Sequence, residues 1–141
     1  MLSYHRLGQK GEDLQRLKAL SAEQDWKELW DLHHQLVGVG KVIVVTDLRL
    51  NIVFASSNMV EMTGYLPKEV IGQTPKMFQG EETSEAIRAE IRKAVDAIQP
   101  FHVTLTNYKR NGVPYNCEVN AYPVFNSEGK PVNFIAFENA A

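Results

Sequence analysis

At Gly38-Val39-Gly40 the spacing of apolar residues changes from a helical to a strand period, and that break constrains the fold more than any other feature. Before it, Leu14, Leu17 and Leu20, then Trp26, Leu29, Trp30, His33, Leu36 and Val37, recur at intervals of three and four, the stripe of an amphipathic helix. The segment from about Gly11 to Leu36 therefore reads as helical, with a break near Ser21, where Ser21 and Gln24 match a capping box that opens a second helix. After the glycines, Lys41-Val42-Ile43-Val44-Val45-Thr46 is a dense β-branched run, and Asn51-Ile52-Val53-Phe54-Ala55 follows closely. Strands this near in sequence pair antiparallel, because a parallel pairing needs a long crossover.

From Ser56 to about Val70 the chain reads as short helices, with Ser57-Asn58 as a cap, Met59, Val60 and Met62 as the apolar face, Gly64 as a stop and Pro67 in a first turn. Glu81 to Gln99 forms the clearest interior helix: Thr83 or Ser84 caps it, Ile87, Ile91, Val95 and Ile98 line one side, and Pro100 ends it. Strands are expected at Phe101 to Tyr108, Tyr115 to Phe125 and Val132 to Glu138, separated by turns that carry Asn111-Gly112 and Gly129. This order predicts an α+β domain with an antiparallel sheet and helices packed on one face.

With 141 residues, 44% of them hydrophobic and 23% charged, the chain fits one globular domain. A formal net charge of -2 offers no field that would gather nucleic acid. Cys117 is the single cysteine, so no intrachain disulfide forms, and a reducing cytoplasm is the expected setting. No apolar run approaches the ~18 residues of a membrane span, and no signal peptide opens the chain. His33 and His34 are neighbours on a helix and point apart, so they read as structural rather than metal-binding; His102 also reads as structural and Cys117 as a packing residue. No phosphate-cradling loop, nucleophile elbow or zinc motif is present, and no enzymatic activity is expected.

The order of elements and several of their fillings resemble the PAS domain, over roughly Val39 to Glu138. The stretches that carry the resemblance are Phe54-Ala55-Ser56, Met62-Thr63-Gly64-Tyr65, Glu69-Val70-Ile71-Gly72, the loop Gly72 to Gly80, Asn107-Tyr108-Lys109-Arg110-Asn111-Gly112, and Pro123-Val124-Phe125-Asn126 with Gly129. The LOV branch, whose members bind flavin, is similar in its loop pattern Gly-X-Asn-Cys-Arg-Phe-Leu-Gln-Gly. In this chain the reactive cysteine of that pattern is Pro75, the asparagine is Thr74 and the arginine is Lys76. A strand asparagine of the branch is here Cys117, and its last-strand glutamine is Glu138; Gln79 and Asn107 match. Adduct formation is excluded at Pro75, and an ionised Glu138 cannot replace a donating amide unless its pKa is raised. Haem, the second familiar PAS ligand, lacks a histidine on the Glu81 to Gln99 helix.

The resemblance implies an α+β PAS fold, a five-stranded antiparallel sheet with helices on one face and an N-terminal helical extension. The extension is assigned to residues 1–37 and the PAS domain to residues 38–141. The expected function is sensory, in signalling of a bacterial type: a small ligand or a protein partner binds, and conformational change or dimer rearrangement carries the signal to a separate protein. Thr74, Gln79, Asn107, Cys117 and Glu138 are the candidate pocket, with the cofactor unknown and both flavin and haem disfavoured. Trp26, Leu29, Trp30, His33, Leu36 and Val37 form the expected homodimer contact, the alternative being that they pack on their own sheet. Two other functions stay open: an interaction module with a side-chain-filled core, and a LOV-like flavin photoreceptor without a cysteine adduct.

Overall fold

The run after Gly40 is buried from end to end: Val42–Thr46 (β1) has no exposed residue, which is why it is apolar throughout instead of alternating. The computed structural model describes residues 2–28 and 30–141, with side chains from Gly8 onward. β1 pairs antiparallel with Ile52–Ala55 (β2) and, on its other side, with Pro131–Ala140 (β5). Phe101–Tyr108 (β3) and Pro114–Phe125 (β4) complete one five-stranded sheet of order β2-β1-β5-β4-β3. Every ladder is antiparallel, as the short connections require for β1–β2, β3–β4 and β4–β5. In the last hairpin the Asn126 Oδ1 accepts from the amides of Glu128 and Lys130, each at 3.0 Å, and Gly129 supplies the positive φ that closes the turn.

Successive residues of a strand face opposite sides, so the sheet has two different coats. Ile43, Val45, Phe54, Val124, Ile135 and Phe137 face outward and pack with Leu17, Trp26 and Leu36. Leu17 belongs to Leu2–Glu23 (α1), whose Leu14 and Leu20 flank the same cluster. Asp13 of α1 is buried, and its Oδ2 accepts from the Ser57 amide at 2.8 Å and the Ser57 hydroxyl at 2.7 Å. Replacing Asp13 by alanine strands those two donors and is expected to cost about 1–3 kcal/mol. Hydrogen exchange should show α1 amides losing protection before the β1 amides do; equal protection in variant and parent would remove Asp13 as the tie.

The expected second helix after Ser21 does not form. Ser21 lies inside α1, where its hydroxyl donates to the Lys18 carbonyl at 2.8 Å. The chain turns at Asp25, which has φ 55, and Trp26 then makes an antiparallel bridge to Asn126. Lys27 N–H donates to the Phe125 carbonyl, so pairing with the end of β4 overrides the helical period. The chain is helical again at residues 32–38, where His34–Gly38 forms one π turn that places Leu36 in the core. Leu29 lies outside the described residues.

Four short elements cover the inner face: Met59–Thr63 (α2), Pro67–Val70 (α3), a 3-10 turn at Pro75–Phe78, and Glu85–Asp96 (α4). Asn58 precedes α2 without capping it through its side chain. Its amide instead donates to the Lys41 carbonyl at 2.9 Å while its Oδ1 accepts from the Ser56 hydroxyl, pinning α2 to the start of β1. Ser84 does cap α4, accepting from the Ile87 amide. The helix is shorter than the expected Glu81 to Gln99, because Thr83 accepts from the Gly80 amide and donates to the Thr106 carbonyl, holding the preceding loop on β3.

Candidate functional site

The apolar stripe of α4 predicts a core helix, yet α4 has no fully buried residue. Ile91 and Val95 instead line a cavity of about 570 Å³ between α4, the 3-10 turn and the inner face of the sheet. Val44, Phe78, Leu105 and Phe134 supply apolar wall. This volume is far above the water-sized voids of packed interiors and lies in the range of small-molecule sites.

Four of the candidate residues, Thr74, Gln79, Asn107 and Glu138, line this cavity. Cys117 is not among the lining residues: it is fully buried on the same face of the sheet, packed with Val103 and Leu105. Its Sγ lies 3.6 Å from the Glu138 Oε1 and donates to it. Burial pushes both Cys117 and Tyr115 above their ordinary values, and Glu138 raises them further. Glu138 itself is pushed by burial up to about 7, against which the Cys117 hydrogen bond pulls weakly. Near neutral pH this carboxyl is therefore divided between a donating acid and an accepting anion. The Asn107 Oδ1 is buried and has no hydrogen-bond partner. Comparison of motif positions points to these polar residues; the shared hollow behind them arises because α4 stands away from the sheet, which periodicity does not encode.

Lys76, which stands at the arginine of the loop pattern, is exposed at the mouth of the cavity, with three cations that sequence reading passed over: Arg49 and Arg92 are exposed, Arg88 is half-buried, and Asp96 opposes them. The half-buried Arg88 donates to Glu85 and to the Gly80 carbonyl, while its buried Nε has no partner. Glu138 also borders a second, more polar cleft of about 340 Å³, shared with Gln9 and Lys10 of α1.

The expected dimer contact divides. Trp26 and Leu36 are buried against their own sheet, so the chain itself covers the part of the stripe that was assigned to a second copy. Trp30 and Val37 stay half-buried and His33 is exposed. His102 is exposed as well, 3.6 Å from Glu118 on the neighbouring strand. Among the described residues, no three His, Cys, Asp or Glu side chains gather as metal ligands, and no helix is long and apolar enough to cross a membrane.

Residues 40–139 match the PAS domain family. The chain belongs to the PAS domain family. As a PAS domain it is a sensory, signal-transduction module, and its likenesses lie on the LOV side. It is 41% identical over 88 residues to Protein TWIN LOV 1 of Arabidopsis thaliana, covering 62% of this chain and 22% of that protein. It is 34% identical over 125 residues to a blue-light-activated histidine kinase of Rhizobium johnstonii, covering 86% of this chain and 36% of the kinase. The chain thus spans about a third or less of the relatives it matches. Among solved structures, a light-oxygen-voltage domain from work on a flavin analogue superposes with TM-score 0.73 at 25% identity, covering 79% of this chain and 85% of that one.

That likeness raises flavin as a ligand: the amides of Gln79 and Asn107 line the cavity, and the raised Glu138 carboxyl donates in its protonated form, whereas the site holds no thiol for an adduct. Pro75 stands where the branch has its reactive cysteine, and Cys117 directs its Sγ at Glu138. For haem, no histidine lies among the cavity-lining residues.

Proposed function

We propose that this PAS domain senses a colourless small molecule in the cavity under α4, and that it acts by binding without catalysis. The observation that carries the reading is the half-buried stripe of α4 over a hollow of about 570 Å³, which argues against a core filled by side chains. Thr74, Gln79, Asn107 and Glu138 orient the ligand, and Cys117 positions Glu138. Occupancy selects one arrangement of the sheet, and the extension at residues 1–37 conveys it from the domain at 38–141 to a separate signalling protein in the cytoplasm. Relatives named as photoreceptors and a histidine kinase support a signalling role. The light-state dimer of the fungal photoreceptor Vivid, a fold neighbour with TM-score 0.66, supports a homodimer.

Native mass spectrometry of purified protein should find a bound small molecule, in a sample without visible absorption. A band near ~450 nm would establish flavin instead, and one near ~400 nm haem. For the dimer, Trp30→Glu should yield monomers by light scattering, since Trp30 is the large aromatic of the stripe that its own sheet covers only in part. An assembly unchanged in mass removes Trp30 from the contact.

A further inference from the structure

The inner end of the cavity carries one carboxyl, Glu138, beside the amide of Asn107. The ladders place Leu105 opposite Cys117 on β3 and β4, and Val119 opposite Glu138 on β4 and β5. Two residues along β3 from Leu105, on the same face, stands Asn107, which is 6% exposed. Asn107 and Glu138 therefore occupy one end of the inner face, both lining the cavity, with Cys117 between them. The Asn107 Oδ1 and the hydroxyl of its cross-strand neighbour Tyr115 are both buried without a hydrogen-bond partner, and Glu138 receives only the weak thiol of Cys117 among the described hydrogen bonds. The outer end is cationic. Lys76 and Arg92 are exposed at the mouth and form no ion pair among the described residues, with Arg49 and Arg88 beside them and Asp96 as their counterweight.

We propose that the cavity takes a phosphorylated or carboxylated heterocycle with a 2-amino-4-oxopyrimidine edge, the adjacent N–H pair shared by guanine and pterins. That edge presents a ring N–H and an exocyclic amine side by side, in the geometry a carboxylate accepts in bidentate fashion. Glu138 takes this pair, and Asn107 Oδ1 takes the second hydrogen of the amine. A flavin edge places carbonyls on both sides of its single ring N–H, so an ionised Glu138 meets one donor there and a repelling carbonyl oxygen beside it. Adenine offers a bare ring nitrogen where the pair needs a proton. The anionic tail points outward, where Lys76 and Arg92 meet it.

This inference rests on the sensory-cavity reading, and one set of titrations separates the two. Calorimetry of the purified protein would use guanosine monophosphate, pterin-6-carboxylate, guanosine, adenosine monophosphate and flavin mononucleotide. Guanosine monophosphate, pterin-6-carboxylate or both should bind about tenfold or more tighter than adenosine monophosphate and flavin mononucleotide; binding of one alone identifies which source of the edge the site prefers. Glu138→Gln should lose about tenfold for the preferred ligand and gain for flavin mononucleotide, and Lys76→Gln should narrow the gap between guanosine monophosphate and guanosine. Circular dichroism confirms that each variant is folded. Adenosine monophosphate or flavin mononucleotide binding as tightly as both donor-edge probes overturns the proposal and leaves the cavity reading intact. If no probe binds, the proposal also fails, and native mass spectrometry of the same sample decides the rest: a different bound small molecule keeps the cavity reading, and a bare chain sinks both.

Discussion

Replacing Glu138 by glutamine is expected to stabilise the protein at about pH 8 by roughly 2–3 kcal/mol, while leaving its stability near about pH 5 almost unchanged. The sign follows from proton counting. The Glu138 carboxyl is pushed from 4.5 in the open chain to about 7 in the fold, so between those values the folded state holds a proton that the unfolded chain has released. Stability of the parent protein therefore falls as pH rises through this window, and the penalty is complete above about 7. Glutamine fills the same space without a charge to desolvate, so the variant loses this slope. Cys117 and Tyr115 are raised from 9.0 and 10.0 by burial first and in part by Glu138, so the substitution eases both while burial keeps them titrating above the window. Urea unfolding at the two pH values measures the difference. Parallel pH profiles for parent and variant would show that the Glu138 carboxyl stays ionised and solvated.

Trp26→Ala should be the most damaging single substitution at the seam between the N-terminal segment and the sheet, costing about 3–5 kcal/mol and lowering the melting temperature by roughly 10 °C or more. The ring is 8% exposed and packs among Phe54, Val124 and Ile135 in the outer cluster. It also meets Trp30 edge-on at 5.9 Å. Its Nε1 donates to the Asn133 Oδ1 at 2.9 Å, and the Asn133 amide passes the chain on to the Thr46 carbonyl at 3.0 Å. Removing the indole leaves a cavity and an unpaired buried amide oxygen together. Trp26→Phe keeps most of the ring and loses the donor, so it should cost about 1–3 kcal/mol. Differential scanning calorimetry of both variants checks the order, and equal losses would mean that the hydrogen bond to Asn133 is worth nothing. A drop in assembly size without a drop in stability would instead return Trp26 to an interface between copies.

How far the fold was legible depended on how local its causes were. β3, β4 and β5 follow from alternation between turn residues such as Asn111-Gly112, whose backbone demands act within a few positions. The segment after Ser21 misled because its three-and-four spacing is real while its use is not helical: Trp26 is drawn to Asn126 and Asn133, about a hundred positions away. Asn58 misled in the same manner, having the chemistry of a cap and spending it on the Lys41 carbonyl. At the site, comparison of motif positions identified Thr74, Gln79, Asn107 and Glu138, all of which reach the cavity. Cys117 shares the inner face but is covered in the cluster with Val103 and Leu105, and its place along β4 fixes only its face, not what covers it. The cations at the mouth come from three separate segments, so no window of sequence brings them together.

The burial of β1 on both sides has a mechanical consequence. Val44 borders the cavity while its neighbours Ile43 and Val45 touch the layer to which α1 contributes Leu17. Only one strand's width of backbone lies between the chamber and the bed on which the N-terminal helix rests. A guest that bows the floor of the chamber tilts that bed directly, with no relay of intervening side chains.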